Sequence, residues 1–197
     1  FRLTAPIGAA AIRLNLGGGH NVANALAAAA AAASAGAALE HIVAGLAAVR
    51  AVPGRLQFRR SSSGGWLIDD SYNANPSSVR AAIEVLTGLP GKRWLVLGDM
   101  AELGAFAADE HAGIGEFARR AGIERLYATG ALMQRATEAF GAGAEWFADV
   151  PALIAALRAA PGNSAEVRVL IKGSRFMRLE RVVEALSAAP LPGGGGH

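Results

Sequence analysis

Three observations point to an α/β protein: a mostly parallel, doubly wound sheet preceded by a small α+β unit. From Leu56 to Ser187 short apolar runs alternate with helical patterns, and strands alternating with helices at this spacing imply right-handed βαβ crossovers. Val52-Pro53-Gly54 interrupts the periodicity, so the 197-residue chain divides into residues 1–53, 54–189 and a tail, 190–197. The first part offers only two strands and two helices, a thin core for an independent domain.

In chain order, FRLTA and AIRLNL alternate apolar and polar residues around Ala5-Pro6-Ile7-Gly8 and read as a hairpin that ends at Gly17-Gly18-Gly19. Asn21 to Ala35 is a helix because alanine has the lowest intrinsic helix cost, and Gly36 stops it. Glu40 to Val49 carries Ile42, Val43, Leu46 and Val49 at helical spacing. Leu56–Arg60 and Trp66–Asp70 form a hairpin around the Ser/Gly loop 61–65. Pro76–Thr87 is a helix with proline in its first turn. Strands follow at Trp94–Leu97, Leu126–Thr129, Glu145–Ala148 and Val167–Ile171. Helices are expected at Asp109–Ala121, Leu132–Phe140, Pro151–Ala160 and Phe176–Ser187.

Composition narrows the function classes. Lys and Arg number 19 against 16 Asp and Glu, a net +3, with only 18% charged residues and both signs interspersed. No Lys/Arg cluster with interleaved aromatics accompanies the high pI, so a nucleic-acid partner is not expected. Of the 52% hydrophobic residues, 46 are Ala. The larger apolar side chains, about 28% of the chain, still suit a globular rather than a disordered protein. With no Cys there is no disulfide and no thiolate metal site, which fits a cytoplasmic setting. The run from Val22 to Ala33 is too short to span a membrane, so no membrane partner is expected. Phe1 stands where a start Met would be and no signal peptide follows it. The chain therefore reads as a piece of a longer protein, with Leu191–His197 a flexible tail or expression scar; a monomer is expected.

In a doubly wound sheet ligands bind beyond the carboxyl ends of the strands. Polar residues gather at such ends in DDSYNANP (69–76), GDMAELG (98–104), Thr129-Gly130 and KGSR (172–175). Asp69 and Asp70 point to opposite faces of their strand, so they are not a catalytic dyad by default. Asn75 or Ser71 suits a helix cap equally well. The plain alternative for Gly98 and Gly104 is a role as turn glycines only. Lys172 and Arg175 before a helix oppose its dipole unless an anion sits there. His111 reads as a solvated or capping histidine rather than a metal ligand. Asn21 and Asn24 share a helical face and could present two amides to a nucleobase, while Arg55 follows the break between the two parts. Neither G-x-x-x-x-G-K-[ST] nor G-x-G-x-x-G after a strand is present.

In order and spacing, GGHNVANALAAAAAA (18–32), VPGRLQ (52–57), DDSYNANPSS (69–78), VLGDMAELG (96–104) and IKGSRFMRLE (171–180) closely resemble the MurF-type Mur ligases of peptidoglycan synthesis. The resemblance covers residues 1–189. DDSYNANP and GDMAELG separate this type from the alternatives, another Mur ligase or a folylpolyglutamate synthase; HNxxN and KGSR are shared more loosely. The resemblance implies that 1–53 ends a central ATP-binding domain and that 54–189 is the Rossmann-like C-terminal domain. It also implies ATP-dependent joining of D-alanyl-D-alanine to UDP-N-acetylmuramoyl-tripeptide through an acyl phosphate, with Mg²⁺ held mostly by upstream residues. On this likeness Asn21, Asn24, Arg55 and Asp70 would bind ATP. Tyr72, Asn73, Asn75, Ser174 and Arg175 would bind substrate, and Lys172, Arg175 and Asp70 would be catalytic. Asp99, Glu102 and His111 match cleft positions without an assigned step. Lacking a phosphate-binding loop, the chain by itself is expected to be inactive, and a noncatalytic ligand-binding domain is the alternative from another class.

Overall fold

The structure, a computed structural model, describes residues 1–16, 19–50 and 52–188. The tail 190–197 lies outside them. Two compact units emerge, Phe1–Val52 and the chain from Pro53 on.

In the first unit β1 (Arg2–Ala5) and β2 (Gly8–Ala11) pair antiparallel around Pro6-Ile7, with Arg2 opposite Ala11 and Ala5 opposite Gly8. The second strand thus starts at the turn rather than at Ala11, and the run Ile12–Leu16 lies beyond it. The reason is the tight turn: only a connection of two residues lets Ala5 and Gly8 pair directly. Helices α1 (Gly19–Ser34) and α2 (Leu39–Ala48) follow. Leu3, Ile12, Ala25, Ala29, Ile42 and Leu46 make a small core.

The second unit is built on a six-stranded sheet. Its elements are β3 (Gln57–Arg60), β4 (Trp66–Asp70), α3 (Pro76–Thr87), β5 (Lys92–Gly98), α4 (Ala107–Arg120), β6 (Arg125–Thr129), α5 (Met133–Phe140), β7 (Ala144–Phe147), α6 (Val150–Ala159), β8 (Val167–Lys172) and α7 (Glu180–Leu186). The strand order is β3-β4-β8-β5-β6-β7; β3 runs antiparallel to β4, and the remaining pairings are parallel. Ile68, Leu95, Leu97 and Leu170 on one face pack with Val79, Ile83 and Leu86 of α3, Ile114 of α4 and Met133 of α5. On the other face Leu67, Val96, Val169 and Ile171 meet Leu153 and Leu157 of α6 and Val182, Val183 and Leu186 of α7. Because β8 returns between β4 and β5, the chain ends of three strands, at Asp70, Gly98 and Lys172, lie side by side.

Helix α3 starts as expected from its sequence. The Asn75 side chain accepts from Ser78 N at 2.8 Å, the Ser78 hydroxyl accepts from Asn75 N at 3.1 Å, and Pro76 fills the first turn. The last helix differs from expectation. After Lys172 the chain makes a single 3-10 turn, Arg175–Met177, then breaks at Arg178, whose φ of 52° is left-handed. Helix α7 begins only at Glu180, with that acidic residue in its first turn. The conflict between cations and a helix dipole inferred around Lys172 and Arg175 therefore disappears, because no long helix starts there.

Candidate functional site

The rim formed by the three central strand ends is held together by buried polar contacts. Asp70 and Lys172 are register partners on adjacent parallel strands, so their side chains leave the same face. Lys172, 3% exposed, directs Nζ to Asp70 Oδ2 at 2.6 Å and to the Asn73 carbonyl at 2.8 Å. The other carboxylate oxygen of Asp70 accepts from Leu56 N at 3.2 Å. That contact ties down the segment carrying Arg55 and accompanies a left-handed Leu56, φ 46°. The ammonium expected to meet phosphate or carboxylate oxygens thus sits among protein oxygens, and Asp70 orders the backbone on both sides of it.

Asp69 lies on the opposite face, as the alternation of a strand requires. Its Oδ1 accepts from the backbone N–H (3.2 Å) and hydroxyl (2.6 Å) of Ser71, and Arg59 lies 3.7 Å from Oδ2. Tyr72 N donates to the Gly54 carbonyl at 3.0 Å. This closes the turn that sets Arg55 beside the Tyr72 ring, with its guanidinium carbon 4.6 Å from the centroid. Arg175 approaches the same ring at 5.8 Å.

Ser174 joins all three strand ends. Its backbone N–H donates to Asp99 O at 3.0 Å, and its hydroxyl accepts from Ala101 N at 2.8 Å and donates to Ala74 O at 3.3 Å. The two strand-end loops touch directly here. A Cβ on Gly173 would lie 3.2 Å from the Gly98 Cα, and one on Gly98 would press on Met177 and Leu179 at 3.0 and 3.1 Å. Gly98 therefore permits close packing, where the sequence suggested a turn; Gly104, at φ +56°, is the turn glycine.

Three residues without an expected step have clear places. Asp99 accepts from Leu132 N and Met133 N at 3.1 and 2.9 Å, anchoring the start of α5. Gly130 makes room for that carboxylate, since a Cβ there would come within 2.4 Å of it. His111 is fully buried rather than solvated. Its Nε2 accepts from Met100 N at 2.9 Å, so the ring proton resides on Nδ1, which donates to Ala107 O at 2.6 Å. Asp99 Oδ1, 3.9 Å from Nε2, faces an acceptor rather than a cation. Glu102 is exposed and left-handed, φ 63°.

The second unit thus assembles Arg55, Asp70, Tyr72, Asn73, Lys172, Ser174 and Arg175 along one rim. Asn75 stands at the start of α3, where capping occupies its side-chain oxygen. Asn21 and Asn24 belong to the first unit and share a face of α1, with Asn24 Nδ2 3.5 Å from Asn21 Oδ1. The Leu56–Asp70 link, the Asp99 anchor and the buried His111 escape sequence reasoning, because their partners lie 11 to 34 residues away with no periodic signal. The paired glycines at two strand ends, Gly98 and Gly173, were the one available hint of close contact. Among the described residues no group of three His, Asp or Glu converges as a metal site, and no helix is long and apolar enough to cross a membrane.

Residues 54–175 match the family described as "Mur ligase, glutamate ligase domain". The chain is 47% identical over 186 residues to the UDP-N-acetylmuramoyl-tripeptide–D-alanyl-D-alanine ligase of Escherichia coli K12, covering 94% of this chain and 41% of that protein. It superimposes on MurF from Acinetobacter baumannii with a TM-score of 0.82 and 36% identity, over 93% of this chain and 41% of the other. For the MurF ligase of Thermotoga maritima in complex with ADP the values are 0.78 and 26%, over 93% and 42%. The chain spans about two fifths of the length of the relatives it matches.

Proposed function

The chain belongs to the Mur ligase family, and on that premise we propose that it serves a cytoplasmic, ATP-dependent ligase joining D-alanyl-D-alanine to UDP-N-acetylmuramoyl-tripeptide. The observation that carries this reading is the convergence of DDSYNANP, GDMAELG and KGSR on one rim, stitched by Ser174. In this reaction the tripeptide carboxylate takes the γ-phosphoryl group of ATP, releasing ADP. The dipeptide amine then displaces phosphate to form the amide, losing its proton.

The chemistry asks for cations around developing phosphoryl and tetrahedral charge, and for exclusion of water from the acyl phosphate. Arg55 and Arg175 are the exposed guanidiniums of the rim and suit oxyanions. Asp70 and Lys172 hold the backbone from which these groups project. Tyr72 and Asn73 are exposed beside them for substrate contact. In the first unit the Asn21–Asn24 pair offers amides to the adenine edge. The Mg²⁺ that accompanies ATP is placed mostly among residues upstream of this sequence; among the described residues no group of three or more His, Asp or Glu converges.

The test is coupled phosphate release from ATP by the full-length protein that contains this sequence. Release is expected only when UDP-N-acetylmuramoyl-tripeptide and D-alanyl-D-alanine are both present. Turnover with a different amino-acid acceptor, and none with D-alanyl-D-alanine, overturns the assignment.

A further inference from the structure

Two cations from opposite ends of the second unit reach the Tyr72 ring, Arg55 from the unit's entry and Arg175 from beyond its last strand. Their guanidinium carbons lie 4.6 and 5.8 Å from the ring centroid, both within cation–π range. The ring is 42% exposed, so the cluster is open to solutes. Among the described residues Arg55 has no carboxylate partner. Arg175 has only Glu180 at 3.8 Å, and with side chains 66% and 32% exposed that pair holds it weakly.

The backbone beneath the three residues is tied down by hydrogen bonds. Tyr72 N is bonded to Gly54 O, Leu56 N to Asp70, and Ser174 to Asp99, Ala101 and Ala74. Two like charges gathered at one ring repel each other, and the ring's negative face offsets only part of that. An anion with two or more oxygens relieves the remainder by accepting N–H groups from both guanidiniums.

We infer that Tyr72 is a positioning residue that holds Arg55 and Arg175 as two arms of one oxyanion clamp. Its ligand is a terminal carboxylate of a peptide or a phosphoryl group of a nucleotide; only this choice of ligands rests on the ligase reading. The clamp needs no turnover. Its binding test and the phosphate-release assay therefore succeed or fail independently.

The test is calorimetric titration of this chain with inorganic pyrophosphate and, separately, with N-acetyl-D-alanine. The tighter probe identifies the natural source of the oxyanion. Arg55→Gln and Arg175→Gln should each weaken that probe about tenfold by removing a charged donor. Tyr72→Leu should weaken it about fivefold, and Tyr72→Phe, which keeps the ring face, should stay within about twofold of the unsubstituted chain. In the Tyr72→Leu background a further Arg175→Gln should have a visibly smaller effect than in the unsubstituted chain. The side chain is exposed, so circular dichroism and melting should show all these variants folded.

Absence of binding by both probes overturns the clamp. So does a Tyr72→Leu chain that binds like the original, a Tyr72→Phe chain as weak as Tyr72→Leu, or arginine effects unchanged by loss of the ring.

Discussion

The first unit and the second solve the problem of burial with different materials. Helix α1 carries a long run of alanines, and among the described residues its buried core holds Ala25 and Ala29 with four larger side chains, each 4–8% exposed. The second unit sandwiches its sheet between two apolar layers in which Leu67, Ile83, Leu95, Ile114 and Leu170 are wholly inaccessible. A fully buried leucine or isoleucine contributes about 1.5–3 kcal/mol, whereas alanine contributes chiefly by favouring the helix locally. The first unit also leaves Ile7 and Leu26 more than two-fifths exposed. Its order leans more on local propensity, with one small core joining Leu3 and Ile12 to Ile42 and Leu46, whereas that of the second rests on two full apolar layers of residues distant in sequence. A precise functional rim belongs on the second kind of scaffold.

Three perturbations would break or sharpen this contrast. The largest effect is expected at the buried ion pair of the second unit. Lys172→Met strands the Asp70 carboxylate without its cation and should cost about 3–5 kcal/mol in urea unfolding. Adding Asp70→Asn to that variant should recover part of the loss, because the orphaned charge is then gone. An unchanged unfolding midpoint for Lys172→Met would show the pair to be dispensable.

Next come the cores. Leu86→Ala should cost about 2–5 kcal/mol by opening a cavity in a fully packed layer. Ala29→Gly in α1 should cost only about 1 kcal/mol, the propensity difference. Hydrogen exchange followed unit by unit should show the first change slowing no amide and loosening β5 and β8, and the second confined to α1 and its neighbours. Equal losses from the two changes would erase the distinction.

The smallest effect at neutral pH concerns Tyr127 on β6, tilted against Trp94 and stacked on Phe147. Burial raises its pKa above the usual value, with the Arg125 guanidinium offsetting part of the rise. The phenol therefore ionises at lower pH in the unfolded chain than in the folded one. Stability from this group is intact below about pH 10 and is lost as pH climbs from the unfolded value through the folded one. The hydroxyl has no hydrogen-bond partner of good geometry. Tyr127→Phe should accordingly cost little at pH 7 and flatten the alkaline decline in melting temperature. A decline of the same slope in the variant would assign that sensitivity to other groups.

Much of the second unit's architecture was legible because its signals are local. Alternating apolar runs and helical stretches specify βαβ units, Asn75-Pro76 announces the start of α3, and strand alternation alone separates Asp69 from Asp70. The helix expected from Phe176 failed for a reason no local pattern shows: left-handed Arg178 breaks the chain so that Leu179 can bury completely. The burial of His111 escapes local pattern for a similar reason, since the backbone amide that it satisfies, Met100 N, lies in the preceding loop.

The sequence by itself determined most of the strands and helices of the second unit and which polar residues stand at their ends, because periodicity and capping act over a few residues. Only the tertiary structure decided that β8 returns to the middle of the sheet, bringing Lys172 onto Asp70 across 102 residues and Ser174 onto two neighbouring loops. Those choices follow from burying two apolar faces at once and giving the buried Asp70 carboxylate a cation, conditions that only the assembled sheet can satisfy.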